Sequence, residues 1–290
     1  MKKIKFTEKS AVLTAFVAIE TVLYVVFNTI SILQPAETPE TVALKYIAVL
    51  LSLICAVYML IRHYRNKDCI LVVAALVFTA ISDLFILVLD DYFNTHSLFP
   101  LQYNIGLATF LIAHSIYFYR LYADRIKKIW ISLTVRLVLM AVAVGVMCGL
   151  SGFNILIVEA CVYIVVLGGN VVDSFIICKR SPKNLLFAIG LLCFFFCDLF
   201  VGLQNAHMVG LDLRRIYRIV TNFIWIFYVP AQVLFVLSIS KYGMSGKLEK
   251  GIEKDKIFGF NTKGAQPSEN GENADNCGIV GTQSQNGDEI

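Results

Sequence analysis

The apolar residues of the chain fall into long blocks that are hydrophobic on every side. Each block is about 20 residues long, which is what an α-helix needs to cross a hydrocarbon layer about 30 Å thick. Inside lipid only helices and closed barrels satisfy their own backbone hydrogen bonds, and barrel strands would alternate apolar and polar residues. The pattern therefore predicts an all-α, polytopic transmembrane helical bundle of about eight spans. The predicted spans are Ala11–Leu33, Val42–Ile61, Cys69–Leu89, Leu101–Leu121, Ile131–Leu150, Phe153–Cys178, Asn184–Ala206 and Ile219–Ile239.

Composition supports a membrane protein and excludes an ordinary soluble domain. Of the 290 residues, 58% are hydrophobic and only 16% are charged, whereas a soluble domain carries roughly 25% charged residues. The loops between the blocks are short, which favours antiparallel neighbours in one bundle. Near the C-terminus Gly, Asn, Glu, Lys and Ser dominate, and such a segment buries too little apolar surface to fold. We therefore expect a transmembrane domain over residues 1–245 and a disordered polar cytoplasmic tail over residues 246–290.

Basic residues mark alternate loops and set the predicted orientation. They precede span one and follow spans two, four, six and eight: Lys2, Lys3, Lys5, Lys9, Arg62, Arg65, Lys67, Arg120, Arg125, Lys127, Lys128, Lys179, Arg180, Lys183, Lys241 and Lys247. Cytoplasmic loops carry the excess of Lys and Arg, so we predict an integral protein of a bacterial plasma membrane with both termini in the cytoplasm. One loop opposes this rule, because Arg214, Arg215 and Arg218 fall on the predicted outer side. Arg218, at the mouth of span eight, fits either a substrate phosphate or an ordinary lipid head group.

Two aspartates within the apolar blocks are the first candidates for chemistry. Asp83 in span three and Asp198 in span seven are each followed by Leu-Phe. A rise of 1.5 Å per residue puts both roughly 20 Å from the cytoplasmic ends of their helices. Four spans separate them, so the two helices run parallel, as in a parallel four-plus-four repeat of the kind some transporters show. Polar groups are costly in lipid, and the matched carboxylates therefore predict a shared site.

The other polar residues in the spans have simpler interpretations. Glu20, Arg136 and Glu159 are expected to pair with opposite charges or to complete polar networks between helices. Asp173 lies near the cytoplasmic end of its span, where it can reach water. The four His residues are not grouped as zinc ligands, and the eight Cys residues show no pairing framework. We therefore predict no metal, no cofactor and no structural disulfide, and no nucleic-acid partner; the oligomeric state stays open.

Several segments form an ordered series of motifs. They are Lys45, Ala75–Asp83, Gly106–Tyr117, Tyr163, Phe194–Asn205 and Tyr228–Leu234. This series resembles the YhhN family, whose animal members are lysoplasmalogenases. Tyr46, Ser82 and Cys197 stand where the family usually has Pro, Gly and Ser.

Together with Arg218, the resemblance implies a functional site. Its catalytic residues would be Asp83, Asp198 and His114, and its substrate-binding residues Lys45, Tyr117, Tyr163, Asn205, Arg218, Tyr228 and Gln232. The alternative for His114 is a buried side chain bonded to a backbone carbonyl, and for Lys45 it is snorkelling to the interface. By simple counting, His114 and Gln232 lie on the order of 10 Å closer to the cytoplasm than the two aspartates, a gap that a kink at Pro230 could narrow.

The activity that the resemblance implies is hydrolysis of the vinyl ether bond of a lysoplasmalogen, a lysophospholipid that would reach the site from the membrane. A vinyl ether hydrolyses by protonation of its double bond followed by attack of water. This needs a proton donor and a neighbouring base, which two carboxylates provide in glycoside hydrolysis. The head group, ethanolamine or choline, stays open. The alternative is a transporter or ligand-binding membrane protein whose carboxylates bind a proton or cation.

Overall fold

The computed structural model describes residues 8–33, 38–62, 66–92, 99–123, 126–178, 182–204 and 217–240. These ranges contain eight helices and no strand. The helices are α1 (Glu8–Leu33), α2 (Pro39–Arg62), α3 (Lys67–Asp83, continued by a π-helical segment, Leu84–Tyr92), α4 (Phe99–Tyr122), α5 (Ile126–Ser151), α6 (Ile155–Cys178), α7 (Pro182–Gln204) and α8 (Tyr217–Ile239). The prediction of an all-α transmembrane bundle is confirmed. The predicted tail, residues 246–290, lies outside the described ranges.

Short polar residues explain where several helices begin. The side chain of Asn66 accepts a hydrogen bond from Asp68 N at 3.0 Å, and Asn154 accepts one from Leu156 N at 2.9 Å. Such side-chain acceptors satisfy amide groups that the first turn of a helix leaves unpaired. Between α5 and α6, Gly152 adopts a φ of 79°, which side chains with a Cβ rarely reach. The turn therefore ends α5 and starts α6 within a few residues.

Seven of the eight helices have the length and hydropathy of a membrane span, and α4 is the exception. At 24 residues α4 is as long as its neighbours, but it carries Gln102, His114 and Arg120 among its apolar residues. The first two are buried at 7% and 0% exposure. Because α4 packs between α3 and α6, its polar side chains face other helices and not lipid. Low hydropathy is thus compatible with a central position in the bundle.

The helices form a closed arrangement with one peripheral member. Successive helices contact one another in the order α1, α2, α3, α4, α6, α7 and α8. α8 also packs against α1, α2 and α3, which closes the arrangement. α5 packs mainly on α6, and almost none of its residues is buried within the protein. α8 is the most buried of the seven apolar helices. The centre of the bundle therefore lies between α3, α4, α6, α7 and α8.

The two halves of the chain pack in corresponding pairs. The contacts α1–α2, α2–α3 and α3–α4 recur as α5–α6, α6–α7 and α7–α8. Contacts between the halves also correspond, because α2–α8 matches α6–α4 and α1–α8 matches α5–α4. This correspondence is what a parallel four-plus-four repeat requires, with α3 and α7 in equivalent places.

The π-helical segment begins directly after Asp83. At this point α3 and α4 approach closely: Ser82 Oγ donates a hydrogen bond to Gly106 O at 2.6 Å. A Cβ on Gly106 would meet the side chain of Ile86, so the missing side chain is what permits this approach. π-helical turns occur often at functional sites, and here the altered geometry adjoins a candidate catalytic residue.

Candidate functional site

Each of the two intramembrane aspartates accepts a hydrogen bond from a tyrosine on a different helix. Tyr228 Oη on α8 donates to Asp83 Oδ2 on α3. Tyr163 Oη on α6 donates to Asp198 Oδ2 on α7. Four residues predicted from the sequence are thus assembled as two Tyr–Asp pairs from four helices. Because a carboxylate has two acceptor oxygens, each aspartate can accept hydrogen bonds from further partners.

The two pairs form one cluster. Tyr228 packs on Phe194 with ring centroids 5.3 Å apart, Phe194 packs on His114 at 4.8 Å, and His114 packs on Tyr163 at 5.4 Å, so aromatic contacts join the two pairs. Asp83 is 7% exposed, whereas Asp198 is partly exposed. Two like charges in a medium of low dielectric constant repel strongly, so the cluster is suited to hold one proton between two carboxylates.

His114 lies beside this cluster and is joined to it by aromatic contacts. Its ring centroid is 5.4 Å from that of Tyr163 and 4.8 Å from that of Phe194. The side chain is completely buried, and neither ring nitrogen has a hydrogen-bond partner among the described residues. The ring of Tyr163 stands against His114 while its hydroxyl reaches Asp198. Tyr163 therefore connects His114 to Asp198, the two residues that counting along the helices places at different depths in the membrane.

Tyr117 on α4 and Gln232 on α8 are two further predicted site residues that are buried in the bundle. The ring of Tyr117 is 5.6 Å from His114 and 4.8 Å from Phe235. Gln232 lies four residues after Tyr228, so both face the same side of α8. Tyr117 and Gln232 are buried, and within the described ranges the Tyr117 hydroxyl and the Gln232 amide have no hydrogen-bond partner. Buried polar groups are normally satisfied, so these two groups are suited to a polar group of a ligand.

Lys45 points into the bundle. It is 1% exposed, and its Nζ lies 4.8 Å from the centroid of the Trp225 ring, a cation–π contact. Snorkelling to the interface, the alternative drawn from the sequence, is therefore wrong. Trp225 in turn packs on Tyr228 with ring centroids 5.4 Å apart. Lys45 consequently lies two aromatic rings away from Asp83.

Asn205 and the side chain of Arg218 lie outside what the structure describes. The two substrate-binding predictions that rest on them stay predictions. The other eight predicted site residues are within the described ranges. Seven of them are connected by hydrogen bonds or ring contacts, directly or through Phe194 and Trp225, and Gln232 lies one helical turn after Tyr228 on α8.

Sequence reasoning missed three residues that shape the site. The ring of Phe194 touches the rings of His114, Tyr228 and Phe110 at centroid distances of 4.8, 5.3 and 5.7 Å. Trp225 connects Lys45 to Tyr228, and the side chain of Cys197, the residue directly before Asp198, is buried. Helical spacing from known candidates could have found two of them: Phe194 precedes Asp198 by four residues and Trp225 precedes Tyr228 by three.

The remaining intramembrane charges mostly have partners in the protein. Arg136 pairs with Asp173 at 2.5 Å, which confirms the expected pairing of Arg136 and shows that Asp173 does more than reach water. Glu20 accepts a hydrogen bond from Ser52 Oγ at 3.0 Å. For Glu159, one carboxylate oxygen has no partner in the described part of the chain. Within the same ranges no group of three or more His, Cys, Asp or Glu side chains is arranged to hold a metal ion.

Comparison with known proteins gives one match. The model of the YhhN family matches residues 40–239, which is more than half of the chain and runs from α2 to α8. α1 precedes the matched region. No curated protein and no solved structure matches the chain.

Proposed function

The chain belongs to the YhhN family, and on this premise we propose that it hydrolyses the vinyl ether bond of a lysoplasmalogen. The products are a fatty aldehyde and a glycerophospho-base. The observation that carries the proposal is the pair of carboxylates, Asp83 and Asp198, each held by a tyrosine hydroxyl, with the two tyrosines joined through the rings of Phe194 and His114.

The chemistry requires one proton donor and one proton acceptor. Protonation of the alkene carbon farther from oxygen uses the electrons of the double bond to form the new C–H bond. The other alkene carbon then carries a positive charge, which the oxygen lone pair stabilises as an oxocarbenium ion. Water adds to its carbon, loses a proton to the base and gives a hemiacetal, which separates into the alcohol and the aldehyde. The sum is addition of one water, so the enzyme ends with the protons it began with. Paired carboxylates perform the same two tasks in glycoside hydrolysis.

The cluster supports these roles through its hydrogen bonds. One aspartate carries the proton delivered to carbon, and the other accepts the proton of water. Tyr163 and Tyr228 hold the carboxylate groups in place and leave one oxygen of each for the substrate or water. Such pre-organised geometry supplies much of the rate enhancement in enzymes. His114, beside Tyr163, orients the water or the carboxylate.

Cationic residues fit the phosphate of the substrate. Lys45 lies inside the bundle near Trp225, and Arg218 is at the start of α8. In the topology predicted from the basic loops, both are on the outer side of the aspartates, and the protein is in a bacterial plasma membrane with both termini in the cytoplasm. The head group would then lie outward of the vinyl ether.

The test is a direct assay on the purified full-length protein in detergent. It should release fatty aldehyde from a defined 1-alkenyl lysophospholipid and leave the matched 1-alkyl ether and 1-acyl lipids intact, because neither has a carbon–carbon double bond next to the ether oxygen. Release of fatty acid from the acyl lipid at an equal rate would indicate an ordinary esterase and overturn the proposal.

A second candidate is a transporter whose carboxylates bind a proton or cation. The corresponding packing of the two halves favours it, because repeats of this kind occur in transporters. The same assay separates the two, since a carrier shows its activity only in sealed vesicles and forms no aldehyde in detergent.

A further inference from the structure

A buried chain of hydrogen bonds runs from α5 through α6 to α4, away from the Tyr–Asp pairs. Arg136 on α5 donates from Nη2 to Asp173 Oδ2 at 2.5 Å and from Nη1 to Asn170 Oδ1 at 2.8 Å. Ser132 Oγ donates to the same Asp173 oxygen at 2.8 Å. Asn170 Nδ2 then donates to the backbone oxygen of His114 at 2.8 Å. The chain therefore ends on a candidate catalytic residue.

The orientation of the Asn170 amide is determined by its partners. A guanidinium group only donates hydrogen bonds, so the amide oxygen must face Arg136 and the amide nitrogen must face α4. Asn170 is 0% exposed and Arg136 is 3% exposed, so water does not compete for these bonds. The guanidinium of Arg136 also lies 4.1 Å from the centroid of the Phe118 ring on α4. Arg136 is thus held by hydrogen bonds to α6 and by a ring contact to α4.

Asn170 lies on the same face of α6 as Tyr163, two helical turns away. α6 consequently meets α4 at two levels: the Tyr163 ring packs on the His114 ring, and the Asn170 amide bonds to the His114 carbonyl. A shift of α6 relative to α4 would move the Tyr163 hydroxyl with respect to Asp198. Small displacements of catalytic groups are costly, since about 1 Å can reduce a rate by about 100-fold.

We propose that Asn170 is a positioning residue, oriented by Arg136, that holds His114 and the Tyr163–Asp198 pair in register. This role rests on the proposed function for its catalytic consequence, but the structural part does not depend on it. The residue touches neither carboxylate and acts through the backbone of α4.

The experiment replaces Asn170 by Asp. The shape is kept and Arg136 gains a charged partner, so the fold is retained, but an ionised carboxylate cannot donate to the His114 carbonyl. We expect kcat to fall by about 10- to 100-fold with KM changed less than about threefold, because the interaction matters in the transition state and not in uniform binding. Ser174→Ala is the matched control: Ser174 is buried on the same face of α6, but its hydroxyl bonds only to Val171 O within its own helix.

A second measurement is independent of turnover. The chain has 4 His residues, so the ring signals of ¹⁵N-labelled histidine can be resolved, and the His114 signal is assigned by its loss in His114→Gln. Asn170→Asp should move this signal without substrate, and Ser174→Ala should not. Arg136→Lys, which keeps the charge but loses the two-branched donor, should move it in the same direction and serves as the second variant if Asn170→Asp does not fold.

The outcomes separate the two proposals. An unmoved His114 signal in both variants, or a normal kcat in a well-folded Asn170→Asp protein that does hydrolyse lysoplasmalogen, overturns the positioning role. A moved signal in a protein without hydrolase activity supports the structural coupling and overturns the proposed function alone.

Discussion

The hydroxyl of Tyr228 donates a hydrogen bond to the carboxylate of Asp83, across 145 positions of sequence. The contact joins α8 to α3, and the equivalent contact of Asp198 joins α7 to α6 through Tyr163. Both aspartates thus accept a hydrogen bond from a tyrosine, and the two tyrosines lie on different helices. A carboxylate within a membrane bundle needs such donors, because an unsatisfied buried charge is very costly.

Removing either tyrosine hydroxyl should impair turnover more than folding. We expect Tyr228→Phe and Tyr163→Phe each to lower kcat by about 10-fold or more, because the carboxylate loses the donor that fixes its orientation. Tyr58→Phe is the control, since the Tyr58 hydroxyl has no hydrogen-bond partner in the described part of the chain. The measurement is aldehyde release at saturating substrate. Equal rates for Tyr228→Phe and Tyr58→Phe would show that the Tyr–Asp bond has no catalytic role.

Asp83 and Asp198 should act as one unit. Asp83→Asn and Asp198→Asn keep size and polarity but remove the ionisable group, and each alone should abolish most turnover. The double variant should be little worse than either single variant, because groups that act together are strongly non-additive. Asp68→Asn on the same helix as Asp83 is the control: Asp68 pairs with Arg120 at 2.9 Å but lies outside the cluster. A folded single variant with near-normal kcat would falsify the paired mechanism.

Helix positions were predictable because a membrane span has a fixed length and an apolar surface. The sixth span, for example, was predicted at Phe153–Cys178, and α6 is Ile155–Cys178. The change from α- to π-helix after Asp83 was not predictable from hydropathy, because it coincides with a tertiary feature, the close approach of Gly106 on α4. Local pattern determines that a helix forms, and neighbouring helices determine its fine geometry.

The membership of the site was predictable, but its connections were not. A polar residue in an apolar block is identifiable by its cost in lipid. The matched position and sequence of Asp83 and Asp198 distinguished them from the other polar residues, and the family resemblance added His114. Which tyrosine bonds which aspartate depends on the lateral order of the helices, and hydropathy carries no information on that order. Trp225 was not predicted for a related reason: an aromatic side chain is apolar, so its presence in a membrane span needs no explanation. Only the structure shows that Lys45 lies on its ring.

The orientation of the chain can be tested with reporter fusions. Fusions after Lys9 and after Lys247 should both report the cytoplasm if all eight helices cross the membrane. α4 is the critical helix, because it lacks the hydropathy of the other seven. If α4 did not cross, the two fusions would report opposite sides, and the common depth of Asp83 and Asp198 would no longer follow from the spans.

The arginine at the start of α8 should affect substrate binding. If Arg218 binds the phosphate, Arg218→Ala should raise KM several-fold and leave kcat nearly unchanged, because binding common to the ground state and the transition state is lost. Arg125→Ala, in a loop on the opposite predicted face, is the control. A KM unchanged in Arg218→Ala would assign this arginine to ordinary lipid head groups.

Two adjacent glycines on α6 provide a test of the network around Asn170. A Cβ on Gly169 would lie 2.7 Å from Arg136 Nε and 2.8 Å from its Cζ, whereas a Cβ on Gly168 would meet only Phe195, at 3.6 Å. Alanine is favoured over glycine within a helix by about 1 kcal/mol, so Gly168→Ala should leave stability unchanged or raise it. Gly169→Ala must displace the guanidinium, which ends a flexible side chain but is held by bonds to Asn170 and Val166 O, and we expect these bonds to weaken or break. Leaving such buried groups unpaired costs about 1–3 kcal/mol each, which outweighs the gain in helix propensity. We therefore expect a lower melting temperature for Gly169→Ala than for Gly168→Ala in detergent, and equal values would mean that Arg136 can move without loss.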